Sequence, residues 1–259
     1  MALLKTKLLS LVFLLFIPCG LAQAQGYVHQ SDPAGNYLGV GLSVASSAAL
    51  DPRTYPVGFY VKYGIGLPFG LQPFAEGEYH EEPLLPTLFF DNAVRVAKSE
   101  ARGTAGVCKW FGKKEDMFMP RGCGSVEVVR QNFAEQKLIN TIFSPADSLT
   151  SLNPHFTFGV AIKRDYDISY TQIFKDDFSG IASSQARGLH GYRARFGYTR
   201  HLNGKFNFEG AFKVDYVGTT TLIGPGAGTD INGGALSGRR VVDGGNVAIF
   251  RVQVGFLFR

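Results

Sequence analysis

The residues best equipped for chemistry in this sequence are few. Glu76, Glu78, His80 and Glu82 share one face of the extended stretch Glu76-Gly-Glu-Tyr-His80-Glu-Glu82. Carboxylates and imidazole can hold a divalent cation. Same-face neighbours in a strand, however, lie about 7 Å apart, too far to grip one ion unless the chain curls back. The stretch therefore reads as a solvated strand end, with no metal site and no cofactor assigned. His80, His155, His190 and His201 are the candidates to activate a nucleophile, and Ser151 and Ser184 lie close to two of them in sequence. Such chemistry needs a histidine oriented by a third group. No Gly-x-Ser-x-Gly elbow is present, so no catalytic residue is assigned. Cys108 and Cys123 remain; they flank Gly112 to Arg121, and a hairpin centred near residue 116 brings them opposite each other as a disulfide. Their spacing fits no compact metal-ligand pattern.

The elements that must position these groups are strands. In Lys205 to Val217, positions 206, 208, 212, 214 and 216 are Phe, Phe, Phe, Val and Tyr, while 205, 207, 209, 213 and 215 are Lys, Asn, Glu, Lys and Asp. The final stretch repeats the pattern: Ala248, Phe250, Val252, Val254, Phe256 and Phe258 fall on one side, Arg251, Gln253 and Gly255 on the other. Period-two alternation over ten or more residues marks strands with two different environments. This length exceeds the five or six residues usual in a soluble sandwich and suits a tilted membrane crossing.

Composition agrees. The chain has 259 residues, 45% hydrophobic and 13% aromatic, with 32 glycines and 22 phenylalanines. That mixture favours strands and turns over helices. The mean hydropathy of +0.03 fits a sheet in which each lipid-facing residue is offset by an interior one. The net charge of +5 is spread along the chain rather than gathered in a patch, which argues against a nucleic-acid partner. Residues 1–24 read as a secretory signal: Lys5 and Lys7, the apolar run Leu8 to Ile17, then Ala22-Gln-Ala24 for cleavage. Residues 25–35 would form a short periplasmic segment and 36–259 the sheet.

Twelve strands are expected, at 36–46, 56–67, 71–80, 89–97, 102–111, 122–131, 136–144, 155–164, 167–175, 189–201, 205–217 and 246–258. Short turns are assigned at Pro68-Phe-Gly70, Lys98 to Ala101, Asn132 to Glu135, Asp165-Tyr166 and Leu202-Asn-Gly204, the last with a tight-hairpin Asn-Gly signal. Every second connection is long, and on this spacing the 112–121 link, with its cysteines, is a long outer loop. With its alternating strands, this turn rhythm and Gly255-Phe-Leu-Phe258 before Arg259, the chain resembles bacterial outer-membrane β-barrel proteins as a superfamily. The resemblance implies an all-β, transmembrane, antiparallel up-and-down barrel in the bacterial outer membrane. Its implied partners are outer-membrane lipid, the barrel-assembly machinery that recognises a terminal strand, and small solutes. The His-x-Ser-Asn arrangement of outer-membrane phospholipase A is absent from the sequence.

Parity then assigns an interior charge wall: Lys62, Arg95, Lys163, Arg193, Arg195, Lys213 and Arg251 with Glu76, Glu78, Glu209 and Asp215, and Asp91 beside them. Neighbouring strands allow Arg193 or Arg195 to pair with Glu209, and Lys213 or Asp215 with Arg251. Unpaired bases would instead draw small anions into a narrow aqueous pore. The expected function is a narrow passive channel for small hydrophilic solutes, anions included. The alternatives are a structural or surface-interaction barrel with a plugged lumen, and an outer-membrane lipid-modifying enzyme.

Overall fold

The structure, a computed structural model, describes residues 33–47, 55–81, 97–113, 115–133, 148–163, 165–174, 185–203, 206–223 and 240–259. The proposed signal segment, residues 1–24, lies outside them. Ten strands are described: β1 Tyr37–Ser47, β2 Val57–Gly64, β3 Leu71–His80, β4 Ala97–Trp110, β5 Phe118–Phe133, β6 Ser148–Ile162, β7 Tyr166–Ile173, β8 Gln185–Asn203, β9 Phe206–Ile223 and β10 Arg240–Phe258. Each pairs antiparallel with its sequence neighbour, and β10 closes on β1, Leu38 opposite Phe258 and Val44 opposite Val252. The sheet is an all-β, closed up-and-down barrel.

Ten strands stand where twelve were expected. β3 pairs directly with β4, and β5 directly with β6. The expected strands at 89–97 and 136–144 fall almost entirely at 82–96 and 134–147, outside the described residues. The turns assigned to Lys98–Ala101 and Asn132–Glu135 were misplaced for a physical reason. Lys98-Ser-Glu reads as a polar turn, yet Ser99 and Glu100 lie inside β4, buried against the interior beside a register shift at Ala97/Ser99. Asn132 and Phe133 likewise continue β5. This slip reverses the ends. The connection at 111–117 is a short turn at the end where β1 begins and β10 finishes, and the Cys108–Cys123 disulfide sits beside that turn rather than beneath an outer loop. The two cysteines are direct cross-strand partners, with Cα atoms 4.0 Å apart.

Side chains divide by parity along every strand, as a closed pleated sheet requires. Outward residues are apolar and open: Leu42 is 60% exposed, Phe59 57% and Phe158 61%. Inward residues are charged and closed: Arg251 is 1% exposed and Asp215 0%. A soluble protein does not present such a continuous apolar exterior, whereas a lipid-facing barrel must. Aromatic rows mark two levels. Tyr170, Tyr192 and Tyr216 follow one another across β7, β8 and β9, with centroids 6.3 and 5.4 Å apart. Nearer the chain-terminal end, Phe206 meets Phe256 and Phe258 at 5.0 and 4.9 Å. Tyr216 and Phe206 are separated along β9 by about 33 Å at a rise of ~3.3 Å per residue, or ~25 Å of height at a tilt near 40°, the usual depth of a barrel's apolar band.

The closing seam rests on two glycines. Gly255, Gly41 and Tyr60 lie side by side on β10, β1 and β2, and the Tyr60 ring occupies the space that their side chains would fill. A Cβ on Gly41 would come 2.7 Å from Tyr60 Cε1, and one on Gly255 2.6 Å from Tyr60 Oη. The hydroxyl itself is buried and has no hydrogen-bond partner. Gly255→Val is therefore expected to cost ~1–3 kcal/mol or more by overpacking, while Tyr60→Phe, which deletes an unsatisfied polar atom, should leave stability equal or higher. Urea titration of the folded barrel in detergent, following tertiary signal, reads both; an unchanged midpoint for Gly255→Val would remove the seam argument.

Candidate functional site

The interior is a stack of side-chain tiers, and β9 supplies the order. Its inward residues run from Glu209 through Lys213 and Asp215 to Val217 as the strand leaves the chain-terminal end. Because the sheet is antiparallel, β8 and β10 run past it in reverse, from Arg193 to Leu189 and from Arg251 to Ile249 and Val247 at matching heights.

The tier nearest the chain termini holds a chain of charges that passes from strand to strand. Lys62 on β2 pairs with Glu209 on β9. Arg195 on β8 donates to the same Glu209 oxygen at 3.1 Å and pairs with Asp167 on β7. Asp167 also accepts from Arg121 on β5, Nη2 to Oδ1 at 2.9 Å. Lys213 on β9 pairs with Glu76 on β3. Glu76, Arg195 and Lys62 are partly open, with side-chain exposures of 29%, 20% and 16%, while Glu209 and Lys213 are buried. Beside them Trp110, Met119, Ala161 and the cystine form an apolar cluster with Phe74 and Ala34. Gln72 ties the entering chain beneath it: its Nε2 donates to Pro33 and Gly35 carbonyls at 3.1 and 2.7 Å, while its Oε1 accepts from Trp110 Nε1 at 2.9 Å. A cavity of about 180 Å³ opens among these residues.

The next tier is closed. Asp215 accepts from three arginines: Arg193 at 2.8 and 3.1 Å, Arg251 at 2.6 Å and Arg102 at 3.3 Å. Arg251 also donates to Glu78 at 2.6 Å, and Arg193 to Glu127 at 2.9 Å. Arg102 donates to Glu100 at 2.7 Å, whose other oxygen accepts from Gln131 at 3.0 Å. Glu78 accepts from Ser43 at 2.6 Å and lies 2.9 Å from His80 Nε2. In the ring of strands β4 and β9 stand diametrically opposite, so the Arg102–Asp215 contact crosses the whole lumen. Beyond it lies an apolar layer of Ala45, Val129, Ile173, Leu189, Val217, Val247 and Ile249. A charge held in such low-dielectric surroundings is tolerable only when paired.

The structure brings together Lys62, Glu76, Glu78, Arg193, Arg195, Glu209, Lys213, Asp215 and Arg251 from the sequence-derived wall. The pairings Arg195–Glu209 and Asp215–Arg251 are those that strand adjacency suggested. Lys163 is a correction: it is exposed in the turn between β6 and β7 with φ of 50°, past the strand end where alternation no longer assigns a face. Arg95 and Asp91 lie outside the described residues. Sequence reasoning missed Arg102, Arg121 and Glu127 because alternation on β4 and β5 is blurred by glycine and alanine, and Asp167 because it stood at the very start of the expected strand 167–175. A signal was available: Cys108 and Cys123 share parity with Arg102 and with Arg121 and Glu127, so placing the disulfide inward places those charges inward too. Lys109, outward by parity on β4, donates to the Phe69 carbonyl at the rim, a snorkelling geometry.

His155, Ser151 and His201, considered for other chemistry, are engaged by neighbouring polar side chains. His155 is buried with Nε2 3.5 Å from Glu127 Oε2, inside the wall and away from lipid. Ser151 accepts from Asn153 at 3.0 Å, His201 Nδ1 lies 2.7 Å from Asn207 Oδ1, and His190 is exposed on β8. Glu82 and Ser184 lie outside the described residues. Removing the shared carboxylate should matter most. Asp215→Asn leaves three guanidinium groups short of a counter-charge and is expected to cost ~3–5 kcal/mol, more than Glu76→Gln at the open tier. Denaturant midpoints of the two variants test this, and equal midpoints would argue that the buried tier has no special weight.

No family model and no curated protein matches the chain. Among solved structures it is similar to Neisserial surface protein A (NspA), with 9% identity, a TM-score of 0.37, and coverage of 86% of this chain and 96% of that one. It is also similar to the TodX deltaS2S3 mutant monoaromatic hydrocarbon channel, with 9% identity, a TM-score of 0.33, and coverage of 87% and 90%. The closed antiparallel sheet, apolar outside and charged within, gives the chain the architecture of a membrane-spanning β-barrel.

Proposed function

We propose that this is a bacterial outer-membrane barrel whose lumen is plugged by its own ion pairs, and that it acts as a structural or surface-interaction protein. The observation that carries this reading is the Arg102–Asp215 contact between opposite strands, with Arg193 and Arg251 on the same carboxylate. Side chains that meet across the middle of a barrel leave no water-filled path at that height. Ten strands make this possible. An eight-stranded barrel is filled by ordinary side chains, and sixteen strands leave an aqueous channel; at ten, paired long arginines and carboxylates span the gap. The apolar layer beyond adds a second closure. On this reading contacts are made by the five long connections, at 48–56, 81–96, 134–147, 174–184 and 224–239, which all leave the sheet at the end opposite the chain termini.

A narrow passive channel for small hydrophilic solutes is the second reading, supported by the basic lining of the cavity near the chain termini. As a channel the barrel would have to part the Asp215 cluster. Planar-bilayer recording separates the two. The unaltered protein is expected to give no steady open level. A steady, anion-selective conductance from the unaltered protein, with Arg195→Ala shifting selectivity toward cations, would replace the plugged reading with the channel.

A further inference from the structure

We propose that the cavity at the chain-terminal end of the lumen is a binding site for a small oxyanion that carries a hydroxyl group, such as hydrogen phosphate or a short hydroxycarboxylate. Four basic side chains that line it, Lys62, Arg121, Arg195 and Lys213, share three side-chain carboxylates, Glu76, Asp167 and Glu209; Arg193 also lines it but is matched by Asp215 and Glu127. The carboxylates are shared rather than matched. Glu209 Oε1 serves both Lys62 and Arg195, and Asp167 serves both Arg195 and Arg121. The row from Lys62 to Arg121 thus holds three cations around two anions, an imbalance that one further negative charge would relieve. Focusing within a low-dielectric wall strengthens that attraction.

Size and polarity narrow the ligand. About 180 Å³ is the scale of a void that takes a benzene-sized molecule or roughly six waters. A nucleotide or an oligosaccharide does not fit, whereas a compact oxyanion does. Glu209 adds a requirement: its Oε2 is buried and has no donor, so a ligand with only acceptor oxygens would leave that carboxylate unsatisfied. A hydroxyl on the ligand supplies the missing proton donor. The closed Asp215 tier makes the cavity a dead end toward the long connections, so the ligand enters and leaves on the chain-terminal side. The entry route rests on the plugged reading; the site itself does not, since binding is read without any current.

The protein carries its own probe. Trp110, the single tryptophan, lines the cavity and stacks under Arg121, whose guanidinium carbon is 4.8 Å from the ring centroid. Tryptophan emission of the folded barrel in detergent is titrated with sodium phosphate, glycolate, acetate and chloride at constant ionic strength. Saturable responses in the millimolar range are expected for phosphate and glycolate, at least several-fold tighter than for acetate, with none for chloride. Lys62→Met, which removes a cation away from Trp110, should weaken them about tenfold or more, the scale of one charged hydrogen bond. Thr104→Leu, which fills the void without changing charge, should abolish them. A linear response shared by all four salts overturns the proposal, as does undiminished binding in Thr104→Leu. Equal binding of acetate and glycolate overturns the assignment of Glu209 as hydroxyl acceptor.

Discussion

The constraint behind the whole structure is the buried carboxylate of Asp215 on the inner face of β9, accepting from Arg193, Arg251 and Arg102. No one of these contacts could stand alone. An unpaired ion inside a protein costs several kcal/mol of lost hydration, and Asp215 and its partners have nearly no water. The tier therefore exists as a set or not at all. Its members come from β4, β8, β9 and β10, with Glu78 from β3 and Glu127 from β5 on its edge. Six of the ten strands are thus placed in register by one group of charges. A slip of one residue on any of them would turn a charge toward lipid.

That register also explains the exterior. Parity that points Arg251 inward points Phe250 and Val252 outward, and parity that points Asp215 inward points Tyr216 and Val214 outward. The ion-pair core and the greasy surface are two readings of one alternation. Where the interior cannot be filled by long charged side chains, the strand supplies bulk differently: Tyr60 covers Gly41 and Gly255 at the seam, and Trp110 with the cystine fills the end beside the entering chain. The lumen is packed like a soluble core with its polarity reversed.

Most of this architecture was legible in the sequence because a period of two needs only local information. The last hairpin, β1, β2 and the outward faces of β8 to β10 all follow from it. What was not legible is long-range. Ser99-Glu100 looks like turn chemistry until β4 is known to carry it inside the barrel, and the strand count failed at that point. The cysteine pair was read correctly as cross-strand partners but placed at the wrong end, since the end depends on counting every turn before it. Arg102 and Glu127 are ordinary charges in sequence, and only the meeting of β4 with β9, and of β5 with β8, makes them part of a core.

The same limit bears on function. A row of inward arginines and lysines reads equally as a pore wall or as half of a set of pairs, because the acids that decide between them lie tens of residues away. In this barrel Glu78 stands 173 residues from Arg251 and Glu127 66 residues from Arg193. Pairing removes a charge from the field that a solute would feel, so the Asp215 tier, for all its arginines, is nearly neutral to anything approaching it. Attraction for an anion can come only where the bases outnumber the acids they share. In this lumen that condition is met near the chain termini, where two guanidinium groups divide Asp167 and a lysine and an arginine divide one oxygen of Glu209. The electrostatics that close the barrel at its centre thus leave a polarised pocket at its end.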